Sequence, residues 1–181
     1  MPQRGWRCNW IGLRSDKHII MDTNEQKKLY SETDIRTMRI AEKARLPGKN
    51  RVEEIKNYAR LSGIKRIGIA HCILFKKEAA KLREALKDEF EVFSIDCYNG
   101  RIPSSELLST DAKGISCNPA GQAKFLSENN TELNISFGLC MGHDIVFNQK
   151  SKAPVTTLIV KDRQYKHNPY EAFKETDNNQ G

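Results

Sequence analysis

No C-x-x-C pair occurs anywhere in the 181 residues. That excludes the strong zinc-finger and thioredoxin signatures, which place two thiols two residues apart. Long apolar runs are also missing: no window approaches the roughly 20 residues needed to cross a bilayer, and the mean hydropathy is −0.65. The opening stretch MPQRGWRCNWIGLRSDKHII is basic but contains Asp16, and it has neither a continuous apolar run nor a small-residue cleavage site. It does not read as a secretory signal, so a cytoplasmic location is expected. No internal repeat divides the chain. With 38% apolar and 29% charged residues, the composition is that of a soluble globular protein.

The net charge of +7 is unevenly distributed. Residues 1–60 hold 14 basic and 8 acidic side chains, whereas residues 61–181 hold 16 and 15. Charges of both signs alternate along the basic first third, as on a solvated helix rather than a dense phosphate-binding patch. No nucleic-acid motif accompanies the excess, which argues against nucleic-acid binding.

Residues 24–45 carry apolar side chains at Leu29, Tyr30, Ile35, Met38 and Ile40, and predict a helix capped by Thr33 or Asp34 and ended by Pro47-Gly48. Asn50 reads as the N-cap of a second helix over 51–61, with Ser62-Gly63 as its stop. The β-branched run 64–70 and the runs 90–95, 133–137 and 155–160 predict strands. Between them, residues 75–88, 103–108, 117–127 and 143–147 predict helices, and 114–116 a short extended piece. Strands separated by helices imply crossover connections. The expected fold class is therefore α/β, a three-layer arrangement whose mainly parallel sheet has helices on both faces, preceded by N-terminal helices. The expected organisation is a basic helical extension over 1–49, an α/β domain over 50–173 and a polar, disordered tail over 174–181.

Of five cysteines, four take one predicted position, the end of a strand or the loop after it: Cys72, Cys97, Cys117 and Cys140. Their spacings of 25, 20 and 23 residues are those of successive strand–helix units. Parallel strands bring such ends to one edge, where open α/β folds build their sites. These four are the candidate metal ligands. Tetrahedral zinc needs sulfurs about 3.8 Å apart, whereas four strand ends at about 4.8 Å spacing spread over roughly 14 Å. An iron–sulfur cluster, larger and normally held by four thiolates, suits that spread better, so a 4Fe–4S cluster is favoured over zinc. His71 and His143 each adjoin a cysteine and leave a mixed site open. The reading as buried, small apolar side chains stands beside these.

Cys140-Met141-Gly142-His143-Asp144 is the densest group of reactive side chains. A thiol at a helix N-terminus loses pKa to the helix dipole. Cys140 is thus a candidate nucleophile, with His143 as its base and Asp144 orienting that ring. Lys161 and Arg163 follow the last strand onto the same edge, where two cations would lower thiol pKa values or hold an anionic ligand. Asn168 is expected to cap the final helix.

As a combination, RVEEIKNYARLSGIKRIGIAHC, ISCNPAGQA, FGLCMGHDIVF and APVTTLIVKDRQYKHNP resemble a prokaryotic domain-of-unknown-function family described as uncharacterised metal-binding proteins. The resemblance runs from about residue 50 to 173. It implies that Cys72, Cys97, Cys117, Cys140 and His143 lie on the family's characteristic positions, and it implies a metal function without supplying a reaction. Two departures stand out. The opening segment offers only Cys8 where the family carries a cysteine-rich stretch, and His71 stands where an aromatic residue is expected. The resulting expectation is a cytoplasmic metal-binding protein in a redox or sulfur-related role, partnered by a redox protein or a small thiol or sulfur compound. The alternatives are a metal-free thiol enzyme using Cys140 and His143, and a zinc-binding protein.

Overall fold

The computed structural model describes residues 22–178, so Cys8 and the opening segment lie outside the described residues. The chain falls into two units, Met1–Met38 and Arg39–Gly181. In the first, Asp22 caps a short helix α1 (Thr23–Lys27), which the sequence reading did not separate from its neighbour. Helix α2 (Glu32–Ala44) spans the division. Its start is fixed by Ser31 rather than by Thr33 or Asp34. The Ser31 hydroxyl accepts the Asp34 N–H at 3.1 Å while the Asp34 carboxylate accepts the Ser31 N–H at 2.8 Å, a reciprocal capping box.

The second unit follows the α/β expectation. Asn50 caps α3 (Arg51–Ser62) by accepting the N–H groups of Val52 and Glu53, and Gly63 ends it in the left-handed region at φ 74°. Then come β1 (Arg66–His71), a 3₁₀ turn (Ile73–Phe75), α4 (Lys76–Leu86), β2 (Glu91–Asp96), α5 (Ser104–Leu107), α6 (Pro119–Glu128), β3 (Leu133–Phe137), α7 (Met141–Lys150), β4 (Val155–Ile159) and α8 (Glu171–Asn178). Helix α7 is about twice as long as residues 143–147 suggested. Helix α8 runs through 174–178, which the sequence reading assigned to the tail.

All four strands are parallel, in the order β2-β1-β3-β4. The inner strands β1 and β3 are buried almost throughout, as their unbroken apolar runs require, while the edge strands are half-buried. Alternation splits each inner strand between two layers. On one face, a Cβ at Gly68 would overlap Leu126 of α6 and Asn134, and Ser136 reaches Asp144 of α7 at 2.6 Å. On the other, Phe137 meets Phe75 edge-on, with ring centroids 5.8 Å apart. Helices α6 and α7 thus cover one face, and the residues around Phe75 the other.

Residues 114–116 do not join the sheet. Ile115 forms only an isolated antiparallel bridge with Pro103, so Cys117 is not at a strand end. The sheet has four strands, and three of the four cysteines follow them.

Candidate functional site

Strand order places the site. The chain leaves β1 for β2 on one side and later returns to β3 on the other, so the crevice beyond the carboxyl ends of β1 and β3 is the topological switch point, the usual binding position in open α/β sheets. Cys72 follows β1 directly, and Cys140 lies three residues beyond β3.

Each cysteine is held by its backbone. Cys72 heads the 3₁₀ turn, its N–H donating to Phe137 O at 3.2 Å across to β3. Cys97 follows β2, and its carbonyl accepts the Asn118 N–H at 2.7 Å. That bond draws Cys117 in from the loop before α6. Asn118 also caps α6 through Gly121 N–H at 2.8 Å, with Pro119 in the first turn. Cys140 is the N-cap residue of α7. The bend before it needs Gly138, whose φ is 66° and where a Cβ would overlap the Phe75 ring.

The Cys117 thiol lies 3.5 Å from Cys97 Sγ, which also accepts the Ile73 N–H at 3.4 Å. Lys161 Nζ donates to Cys72 Sγ at 2.9 Å. The Cys97 thiol, the Lys161 ammonium and the Leu74 N–H outweigh burial and lower the Cys72 pKa to about 5. The charged neighbour Cys72, followed by burial, pushes Cys97 far above the ordinary thiol range. Burial, followed by the neighbouring sulfur charges, raises Cys117. Burial alone would pull Lys161 down, but its contact with the Cys72 thiolate wins and its pKa is raised. The directions of these shifts favour the thiolate on Cys72 and the neutral thiol on Cys97.

A tight turn after β4 presents both predicted cations. The Asp162 carboxylate accepts the N–H groups of Gln164 and Tyr165, each at 2.9 Å. His167, left-handed at φ 68°, accepts the Asp162 N–H on Nδ1 at 3.2 Å and packs edge-on against Phe75 at 4.6 Å. Lys161 is thereby aimed at Cys72, and Arg163 Nη2 lies 3.8 Å from Cys140 Sγ.

Four predicted cysteines and both cations therefore gather at one edge. The histidines behave differently. His71 is buried with Nδ1 3.0 Å from Cys72 O, and the half-buried ring of His143, in the first turn of α7, makes no side-chain hydrogen bond among the described residues. Asp144 does not orient His143, because its carboxylate accepts from Ser136 Oγ at 2.6 Å and Asn148 Nδ2 at 3.1 Å. Asn168 donates to Glu171 at 2.9 Å. Among the described residues, no group of three or more His, Cys, Asp or Glu side chains is arranged to hold a metal ion.

Sequence reasoning missed Gln122. Fully buried in α6, it donates Nε2 to His71 O at 3.1 Å and to Ile95 O at 3.0 Å. It thus ties together the ends of the two strands that carry Cys72 and Cys97. A glutamine one turn into a helix that follows a cysteine was the available signal.

A family profile described as Protein of unknown function (DUF1847) matches residues 14–158. The chain belongs to this family. An uncharacterised protein of Methanocaldococcus jannaschii is 46% identical over 124 residues, a match covering 66% of this chain and 64% of that protein. The chain thus spans under two thirds of the length of the curated relative it matches. No solved structure matches. The family's matched segment contains Cys72, Cys97, Cys117 and Cys140 and ends before Lys161. Among the described residues, no helix is long and apolar enough to cross a membrane.

Proposed function

We propose that this edge is a thiolate site for redox or sulfur chemistry, with Cys72 as the reactive sulfur. The observation that carries the proposal is the 2.9 Å contact of Lys161 Nζ with Cys72 Sγ at the switch point. An ammonium at that distance favours the thiolate, and the thiolate is the nucleophile. Relative to a Cys140–His143 pair, the reactive role moves to a buried cysteine whose activating cation comes from 89 residues away. Cys140, with Arg163 Nη2 3.8 Å from its sulfur, helps to hold an anionic sulfur compound. Peptide-resolved alkylation with iodoacetamide at pH 6 tests this reading. Cys72 should label ahead of Cys97 and Cys117 in the folded chain, and labelling of those two first would refute it.

A second reading is a metal centre on Cys72, Cys97, Cys117 and Cys140. It is supported by the 3.5 Å separation of the Cys97 and Cys117 sulfurs, near the roughly 3.8 Å edge of a tetrahedral zinc–thiolate site. The donor set fits zinc or an iron–sulfur cluster chemically; the sulfurs of Cys72 and Cys140 would have to turn toward that pair to complete it. Bound metal would supply a structural or electron-transfer centre. Metal and acid-labile sulfide content of the full chain purified without oxygen separates the cases. Iron with sulfide supports a cluster, zinc without sulfide supports zinc, and neither leaves the thiolate reading.

A further inference from the structure

We propose that Cys72, Cys97 and Cys117 form a thiol relay that reduces a small anionic disulfide and comes to rest as a Cys97–Cys117 disulfide. The inference builds on the reading of Cys72 as the reactive sulfur and adds the substrate class and the fate of the electrons.

Three observations carry it. The Cys97 sulfur stands between the two segments, 3.4 Å from the N–H of Ile73, the residue after Cys72, and 3.5 Å from Cys117 Sγ. A disulfide needs about 2.05 Å, so side-chain rotation has about 1.5 Å to cover. The segments carrying Cys97 and Cys117 are already tied by Asn118, whose N–H bonds Cys97 O at 2.7 Å and whose Nδ2 bonds Asn99 O at 3.1 Å. Finally, Cys72 is only 4% exposed and is flanked by Lys161, with Arg163 on the neighbouring Cys140. So little exposed surface suits a short molecule, and the two cations favour negative charge.

The steps balance. The Cys72 thiolate attacks one sulfur of R–S–S–R, forming Cys72–S–S–R and releasing RS⁻, which takes the proton of Cys97 and leaves as RSH. The Cys97 thiolate attacks Cys72 Sγ, giving a Cys72–Cys97 disulfide and a second RS⁻, which leaves with the proton of Cys117. The Cys117 thiolate then attacks Cys97 Sγ, forming Cys97–Cys117 and restoring the Cys72 thiolate. The substrate disulfide gains two electrons, and the Cys97–Cys117 pair loses them.

The test uses the full, pre-reduced chain without oxygen and dithiodiglycolate, a short dianionic disulfide. Released thioglycolate is counted and the products are mapped by peptide mass spectrometry. Two equivalents per chain should appear, with Cys97 linked to Cys117 and Cys72 free, and the reaction should run roughly tenfold or more faster than with cationic cystamine. Cys97→Ser should retain thioglycolate on Cys72 after releasing one equivalent, and Cys117→Ser should stop at a Cys72–Cys97 link. Thioglycolate persisting on Cys72 of the unaltered chain would overturn the relay while leaving the reactive-thiolate reading intact. Modification of Cys140 or Cys117 with Cys72 untouched would overturn both. So would no reaction at any cysteine of a folded chain whose thiols all titrate after unfolding.

Discussion

Replacing Lys161 with methionine removes the ammonium while keeping a side chain of similar length, and the consequence for Cys72 can be worked through. A hydrogen bond to a charged group is worth about 1.5–3 kcal/mol, or about one to two pKa units at 1.36 kcal/mol each. The Cys72 pKa of about 5 should therefore rise to roughly 6–7. At pH 6 the thiolate fraction would fall from roughly 90% to about 10–50%. Intrinsic nucleophilicity rises with pKa at a Brønsted slope of about 0.4–0.5, so the limiting rate at high pH should increase by roughly 3–10-fold. The expected signature is a midpoint displaced upward together with a higher plateau.

Iodoacetamide alkylation of the Cys72 peptide, followed by mass spectrometry from pH 4 to 9, reads both quantities. Lys161→Arg serves as a control that keeps the charge while changing the donor geometry. A Lys161→Met profile superimposable on the parent would refute the assignment of Lys161 as the activating cation. A parent midpoint near the ordinary thiol value of about 8.5 would refute the thiolate itself.

Stability should carry the same signature. Between about pH 5 and 8.5 the unfolded chain holds a proton on Cys72 that the folded chain lacks, so the parent should gain up to about 1.4 kcal/mol per pH unit over Cys72→Ser in urea unfolding. Above that window the gain should level off, because Cys72 is then ionised in both states; no gain between pH 5 and 8.5 would refute the linkage. Gly138→Ala places a Cβ in the Phe75 ring at φ 66° and should cost about 2–5 kcal/mol, lowering Tm by roughly 5–15 °C; an unchanged Tm would sink the argument. Gln122→Met leaves the His71 and Ile95 carbonyls without their donor and should cost about 1–3 kcal/mol. It should also alter the rate at which Cys72 and Cys97 cross-link, a change that destabilisation elsewhere would not produce.

Much of the fold was legible because its signals are local. The buried runs IGIA and LNISF cannot serve half-exposed strands, and Asn50 and Gly63 mark both ends of α3 by cap chemistry. The gathering of thiols was legible for a topological reason, since parallel strands direct their ends to one edge. Residues 114–116 misled because an apolar β-branched residue between glycine and serine looks the same in a strand and in a single bridge. Cys117 nevertheless reaches the site, drawn by a backbone bond to Cys97 that no local pattern announces. The proposed move of the reactive role from Cys140 to Cys72 rests on a similar long-range contact. Cys140 has every local attribute of an activated thiol, including a helix N-terminus and a histidine three residues on. Lys161 was expected at this edge because it follows the last strand, but which of the four sulfurs it meets depends on the turn beyond β4 and is not set by spacing.

The chemistry of the site follows from an asymmetry that the fold imposes. With the four thiols alone, their mutual repulsion would disfavour more than one charge, and only the Cys97 thiol, the Leu74 N–H and unequal burial would bias it toward Cys72. The turn at 161–167 strengthens that bias by bringing Lys161 to Cys72. The Asp162 carboxylate and the His167 ring lock it, and Phe75 couples it to the 3₁₀ turn that starts at Cys72. The same aromatic ring fills the space that Gly138 leaves open on the way to Cys140. Phe75 thus sets the position of the cation-bearing turn, the Cys72 turn and the approach to Cys140 at once. Phe75→Leu keeps an apolar side chain but removes the edge contacts to His167 and Phe137, and large aromatic-to-smaller changes in a core cost roughly 1–3 kcal/mol when a hydrophobe remains. If the three segments share this brace, the variant should raise the Cys72 alkylation midpoint in the same direction as Lys161→Met, although Phe75 carries no charge. A variant that lowers Tm but keeps the parent midpoint would show that Lys161 is placed by its own turn alone.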